Sequence, residues 1–251
     1  MTDCEHIETI SKSLQLIVSD RHTFGTDALL LASFSAPRPR DAVCDFGTGC
    51  GIIPFCWLRD GAEQVCAVEL QEDACEMLRR SIAKNKLENR FTLLRADIRD
   101  LRNRLPHNVF DLITMNPPYY AVGKGLLSAE ENARTARHET NLTPPELLAA
   151  AAILLKFGGR FCLCQRPERL TDYLCAMREA DIEPKRLRFV AQREGKAPWL
   201  FLLEGKRGRS PGLTVEPELH LETPDGSPSP EIQRIYGSYA DNEECGMMNA
   251  E

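Results

Sequence analysis

The sequence predicts an α/β fold: a doubly wound, Rossmann-like sheet, mostly parallel, with an antiparallel hairpin near its C-terminal end. Three observations predict it. Short apolar runs alternate with helix-like patterns from residue 24 to about 180, the rhythm that βαβ units produce. A glycine-rich loop, DFGTGCG (45–51), follows the apolar run AVCDF (42–46) and opens a helix. Two further apolar runs, RLRFVAQ (186–192) and WLFLLEGK (199–206), flank the turn-like REGKAP, which reads as a hairpin. With 251 residues, 43% of them hydrophobic, the chain can bury a full core in one such domain.

Residues 1–40 read as an N-terminal segment and a capping helix, so that about forty residues precede the first strand. In FGTDALLLASF, Thr26 or Asp27 is expected to cap the helix. The strand AVCDF leads through the glycine loop to a helix over 51–60 and then to the strand VCAVEL (65–70). The next helix runs from about Gln71 to Lys84, with Ala74, Met77, Leu78 and Ile82 near one face. FTLLRAD (91–97) and FDLITM (110–115) are strands, and residues 121–142 are polar and irregular, a mobile loop. LTPPELLAAAAILLKFGG (142–159) carries proline in its first turn, and Gly158-Gly159 is expected to stop it. RFCLCQ is a strand and PERLTDYLCAMREA a helix. The main sheet domain therefore spans 41–209, followed by an extension over 210–237 and a tail over 238–251 expected to be disordered.

MTDCEHIETI has no apolar leader core, so secretion is not expected, and no run of about eighteen apolar residues predicts a membrane span. The ten cysteines are scattered without a CxxC. They read as small buried core residues of a cytosolic protein, not as a metal site or disulfides. Net charge is −6, yet residues 156–209 hold 13 basic and 7 acidic side chains. Local potential guides a polyanion more than the global sum does, so this segment permits an RNA partner. Ordinary solvated surface charge explains the count equally well. Monomer and homodimer are both compatible with the sequence.

Gly47, Gly49 and Gly51 allow a sharp turn and close approach of a ligand to the backbone. The loop is not the dinucleotide fingerprint: G-x-G-x-x-G from Gly47 requires glycine at 52, where Ile52 stands. Glu69 closes the second strand 22 residues after Gly47, where a carboxylate can accept ribose hydroxyls. Asp97 ends the third strand and suits an adenine amino group, or equally a helix cap for IRDLRN. Asp45, Glu69, Asp97 and Asn116 each close consecutive strands, and ligands of open α/β sheets bind outside those carboxyl ends. The stretch FDLITMNPPYY (110–120) runs a buried strand into a rigid polar corner, either a plain turn or a holder for a flat, amine-bearing substrate.

DFGTGCG, Glu69, Asp97 and NPPY (116–119) resemble the class I S-adenosylmethionine-dependent N-methyltransferases. FGTDALLLA (24–32), GTGCGIIP (47–54), ARHE (136–139), PERL (167–170) and SPEIQRIYG (229–237) narrow the likeness to the bacterial tRNA1(Val) adenine-N6 methyltransferases, over about residues 10–237. The resemblance implies S-adenosylmethionine over the glycine loop, with its ribose at Glu69 and its adenine at Asp97. Its amino-acid arm would lie near Asp45 and Phe24, Thr26 and Asp27. Thr48, Leu70, Ile98 and Asn116 complete the implied cofactor set. It also implies that strands one and four lie side by side, bringing the methyl group to Asn116.

There Asn116 and the Pro117 carbonyl would accept the two hydrogens of an adenine amine. Pro118 would fix the direction of that carbonyl, and Tyr119 would stack on the base; Tyr120 could help or belong to the core. Arg137 and His138 would touch phosphate from the loop, or form a plain loop salt bridge. Lys185, Arg186, Arg188, Arg193, Lys196, Lys206, Arg207 and Arg209 are the tRNA-phosphate candidates, and charge reversal at Arg186 and Arg188 is expected to raise the KM for RNA. The alternatives are N-methylation of an rRNA base, a DNA adenine or a protein glutamine, or a non-catalytic RNA-binding module. The module reading predicts damage to the glycine loop or NPPY, and neither is damaged. A nicotinamide dehydrogenase is opposed by Ile52.

Overall fold

The computed structural model describes residues 4–119 and 142–237. Tyr120, Arg137, His138, the 121–141 part of the expected loop and the tail after 237 lie outside these described residues. The chain opens with a hairpin that the sequence reading missed, β1 (Glu5–Ser11) and β2 (Leu14–Ser19), so a strand begins at residue 5, not after forty residues. Its signal is period two: Leu14, Leu16 and Val18 are buried on one side. The free edge of β2 takes hydrogen bonds from side chains of a neighbouring helix. The Gln15 N–H donates to Asn85 at 2.9 Å and the Ile17 N–H to Ser81 at 3.0 Å, which caps an edge that would otherwise stay open.

Five parallel strands follow: β3 (Val43–Phe46), β4 (Val65–Glu69), β5 (Phe91–Arg95), β6 (Phe110–Met115) and β7 (Leu155–Gln165). They are linked by α1 (Thr26–Ser35, ahead of β3), α2 (Ile52–Arg59), α3 (Glu72–Lys84) and α4 (Pro144–Leu154). α5 (Leu170–Glu179) then leads to the long hairpin β8 (Ile182–Ala191) and β9 (Leu200–Arg207). The sheet order is β8-β9-β7-β6-β3-β4-β5, with β9 antiparallel to both neighbours. Two short strands, β10 (Thr214–Val215) and β11 (Leu219–His220), pair with β8 ahead of α6 (Pro230–Tyr236). Because successive strands run outward in opposite directions from β3 and β6, these two are the switch point, where a crevice opens at the carboxyl ends.

Two caps depart from the sequence reading. Gly25 is the N-cap of α1 by its extended backbone, while Asp27, inside the first turn, still accepts from the Ala28 N–H at 2.9 Å. Gly158-Gly159 do not stop α4, which ends at Leu154 as Leu155 turns extended to pair with Phe110. The glycines instead carry a bulge between the Phe110 and Leu112 pairings of β7, where a Cβ on Gly159 would meet backbone oxygens of Lys156 and Phe110 at 2.9 and 3.0 Å. The N-terminus of α4 is a capping box: Thr143 Oγ1 accepts from the Glu146 N–H, and Glu146 accepts from the Thr143 N–H at 2.9 Å. The core lies on both faces of the sheet, with Trp57, Phe55 and Leu31 on one side and Phe161, Leu148 and Met177 on the other. No described helix is long and apolar enough to cross a membrane.

Candidate active site

β3 ends in the loop that the glycines shape. Gly47, Gly49 and Gly51 all have positive φ, at 64°, 56° and 93°, a region costly for residues with a Cβ. Their surroundings differ. A Cβ on Gly51 would strike Leu78 at 2.6 Å, so this glycine lets the loop pack on α3, whereas beside Gly49 there is open space. The middle of the loop therefore faces a cradle. Glu69, buried at the end of β4, faces the same loop. One of its carboxylate oxygens accepts from the Gly49 N–H and the other from the Leu70 and Gln71 N–H groups, each at 2.8 Å. Three backbone donors thus fix a carboxylate against the cradle, with about one acceptor site, on the oxygen facing Gly49, left for a ribose hydroxyl.

Asp45 is the buried acid beneath the loop, 1% exposed, and accepts from the Thr114 hydroxyl at 2.6 Å across the β3–β6 pair. Burial pushes its pKa up to about 7 against hydrogen bonds that oppose the rise, and the nearby Glu69 charge adds to it. Leu70, beside Glu69, is an exposed leucine, and Ile98 is nearly buried near the end of β5. Phe24 is half-buried against the core ahead of α1. Asp97 caps the short 3-10 turn 98–103 through the Arg99 N–H at 2.9 Å, and its carboxylate is forked by the Arg99 guanidinium. The capping alternative therefore describes Asp97 in this structure.

β6 delivers Asn116 to the switch point. The amide nitrogen of Asn116 donates to Asp27 Oδ2 at 2.9 Å, and the Tyr119 hydroxyl donates to the same oxygen. Asn116 Oδ1 has the Cys164 thiol at 3.1 Å and the Tyr119 hydroxyl at 3.2 Å. Burial, with Cys164 and Asp27 nearby, pushes the Tyr119 pKa far above its usual range; burial does the same to the Cys164 thiol. Both stay protonated donors. Pro117 is buried and Pro118 exposed, and the Pro118 carbonyl accepts from Gln165 at 3.4 Å. At the other end of this cluster, the Thr26 hydroxyl meets that of Tyr236 on α6 at 2.8 Å, which ties the first turn of α1 to the C-terminal extension.

The expected RNA track requires correction. Buried Glu204 needs counter-charges, and it draws Arg186 (3.0 Å), Arg160 (3.3 Å) and Lys206 (3.8 Å). Arg186 also pairs with Glu216 at 2.7 Å and lies over the Phe34 ring. Arg188 forks Glu231 at 2.6 and 2.8 Å, Lys185 donates to the Ser210 carbonyl, Arg207 binds Asn108 and the Leu155 carbonyl, and Arg209 covers Phe157. Six of the eight candidates are thus engaged by groups of the protein itself. Register adds a second reason for Lys206 and Arg207. Phe201 stands opposite Gln165 at the Asn116 end of the sheet, whereas Lys206 stands opposite Arg160, five residues and about 16 Å away along the strand.

Arg193 and Lys196 differ. They are exposed on the β8–β9 turn, at the site's end of the sheet. Beside them is a group that the sequence reading passed over: the Arg166 guanidinium lies over the Tyr119 ring at 5.3 Å and the Trp199 ring at 5.6 Å. Cys164, read from sequence as one of the buried core thiols, also belongs at Asn116. The period-two spacing of Cys162 and Cys164 was visible, but nothing local shows that this face of β7 meets the end of β6.

Residues 17–168 match the family model described as the methyltransferase small domain. A protein named tRNA1(Val) (adenine(37)-N6)-methyltransferase from Tolumonas auensis is 34% identical over 83% of this chain and 85% of its own. One of the same name from Cronobacter sakazakii is 32% identical over 82% and 83%. Among solved structures, a protein of Agrobacterium tumefaciens described as a predicted O-methyltransferase superposes with TM-score 0.69 at 23% identity, covering 85% of this chain and 97% of its own. That likeness establishes the fold.

Proposed function

Because the chain belongs to the methyltransferase small domain family, we propose that it transfers a methyl group from S-adenosylmethionine to the exocyclic N6 amine of an adenine in tRNA. The observation that carries this reading is the juxtaposition of the Asn116 corner with the glycine cradle across the β3–β6 switch point. The names of the relatives support adenine 37 of tRNA1(Val) as the target, and a cytoplasmic location follows from such a substrate.

The residues fit the cofactor on structural grounds: open space at Gly49, a carboxylate fixed at Glu69 and an exposed leucine at position 70. Glu69 would hold the ribose, Leu70 and Ile98 would flank the adenine, and Asp45 would face the cationic arm. When bound, S-adenosylmethionine supplies an electrophilic methyl group on sulfonium. The protein's task is then to prepare the nucleophile. An adenine amine is weakly nucleophilic because its lone pair is delocalised into the ring. Asn116 Oδ1 accepts one amine hydrogen and the Pro117 carbonyl the other, drawing the nitrogen out of plane and aiming its lone pair. Two prolines fix the backbone there, so little reorganisation is needed at reaction. The displaced proton is acidic once the methyl is in place and needs no strong base.

Purified protein with S-adenosylmethionine should methylate unmodified tRNA, with N6-methyladenosine detected by mass spectrometry of the nucleosides. Labelled product only on a DNA duplex, rRNA or a glutamine peptide would overturn the substrate. On the RNA side, Arg193, Lys196 and Arg166 are described cations at the site's end of the sheet, beside the β8–β9 turn. Charge reversal of Arg193 and Lys196 together is expected to raise the tRNA KM about tenfold and flatten the log–log salt dependence of binding by about 2. The expectation for Arg186 and Arg188 changes: reversal there breaks internal pairs and lowers the melting temperature.

A further inference from the structure

The resemblance assigned Asp27 to the cofactor, but in this structure its carboxylate is taken up by groups of the protein itself. Oδ1 accepts from the Ala28 N–H at 2.9 Å, and Oδ2 takes both the Asn116 amide nitrogen and the Tyr119 hydroxyl. We infer that Asp27 is the positioning residue for Asn116, setting which way its amide faces. This rests on the proposed role of Asn116 as acceptor for the substrate amine.

A carboxylate only accepts hydrogen bonds, whereas an amide donates from one end and accepts at the other. With Asp27 at 2.9 Å, only the nitrogen of Asn116 can face it; the flipped amide would set oxygen against oxygen. Oδ1 is therefore directed away from Asp27. Its two neighbours there are weak claimants. Tyr119 has a single proton, and the negatively charged Asp27 takes it, leaving only the Cys164 thiol, a poor donor. The acceptor face of Asn116 is thus oriented and largely unspent, as an acceptor for an amine must be. Without Asp27 the amide can turn and present its own N–H groups to the substrate amine, donor against donor.

Gly25 belongs to the same device. Its φ of −113° is open to any residue, so conformation does not demand glycine. Space does: a Cβ there would stand 2.7 Å from Asp27 Oδ1. Gly25→Ala keeps every functional group and displaces only the end of a side chain, so it tests position without removing charge.

Asp27→Asn and Gly25→Ala should be compared with wild type in three measurements: kcat and KM on tRNA, the Kd for S-adenosylmethionine by calorimetry, and the side-chain amide resonances of Asn116, assigned by their loss in Asn116→Ala. Asp27→Asn is expected to lower kcat about 100-fold and Gly25→Ala about tenfold, with Kd within about threefold of wild type. The Asn116 amide proton bonded to the carboxylate should move upfield in both. A Kd raised tenfold or more with kcat preserved at saturation would return Asp27 to the cofactor and overturn the inference, as would unmoved Asn116 resonances. If wild-type protein binds the cofactor but leaves tRNA unmethylated, the substrate reading fails, and the amide resonances alone still decide the role of Asp27.

Discussion

Asn116→Ala is expected to lower kcat by about 10²–10³-fold while the Kd for S-adenosylmethionine stays within about threefold of wild type. The asymmetry follows from where the side chain is spent. Its nitrogen is committed to Asp27 at 2.9 Å, and its oxygen has only the Cys164 thiol and the Tyr119 hydroxyl for company. The glycine cradle and Glu69 hold one another through the Gly49 N–H without it. Removing the amide therefore deletes an acceptor needed by the amine in the transition state and leaves the cofactor's groups in place. Such a loss falls on kcat and on kcat/KM together. The variant should fold, because alanine fits the space and Asp27 keeps the Tyr119 hydroxyl. Equal losses in cofactor affinity and turnover would make Asn116 a structural residue and detach NPPY from the chemistry.

Much of the site was legible because it is local. Gly47, Gly49 and Gly51 announce a backbone that only glycine adopts cheaply, and the acids and the Asn-Pro-Pro corner sit at strand ends that periodicity locates. What sequence could not give was pairing across the fold. Arg186 and Arg188 look like free surface cations in one dimension; in three they neutralise Glu204 and Glu231, 18 and 43 residues away. The Asp27–Asn116 contact spans 89 residues, so neither the local reading of Asp27 as a helix cap nor the cofactor role implied by the resemblance contained it. Arg166 escaped notice because its meaning comes from two rings, Tyr119 and Trp199, that the end of β6 and the β8–β9 turn bring to it. The missed N-terminal hairpin has a different cause. β1 is mostly polar, with Ile10 its one buried residue, and its partner's edge is satisfied by Ser81 of α3 and its C-cap Asn85 rather than by another strand.

Stability should fall as pH rises from about 4 to 7, and Asp45→Asn should remove most of that fall. Burial raises the Asp45 pKa to about 7, overriding the Thr114 hydrogen bond, whereas an aspartate in the unfolded chain titrates near ~3.9. Between those values the folded protein keeps a proton that the unfolded chain has lost. Stability therefore declines with pH across that window and levels off above it. Three pH units at about 1.4 kcal/mol each give a decline on the order of 4 kcal/mol. Asp73, Asp97 and Asp111 have lowered pKa values and act in the opposite sense, but their window lies below that of Asp45. Asparagine at 45 can still accept from Thr114 and carries no charge, so urea midpoints at pH 5 and pH 8 should differ markedly in wild type and little in the variant. Matching pH profiles would mean that Asp45 ionises normally despite its burial. The same elevated pKa bears on the cofactor. A cation placed beside Asp45 favours its ionised form, so binding of S-adenosylmethionine at pH 7 should release a fraction of a proton, read as a dependence of the calorimetric enthalpy on the buffer's ionisation heat. Asp45→Asn should abolish that dependence, and its persistence would place the cationic arm elsewhere on the rim.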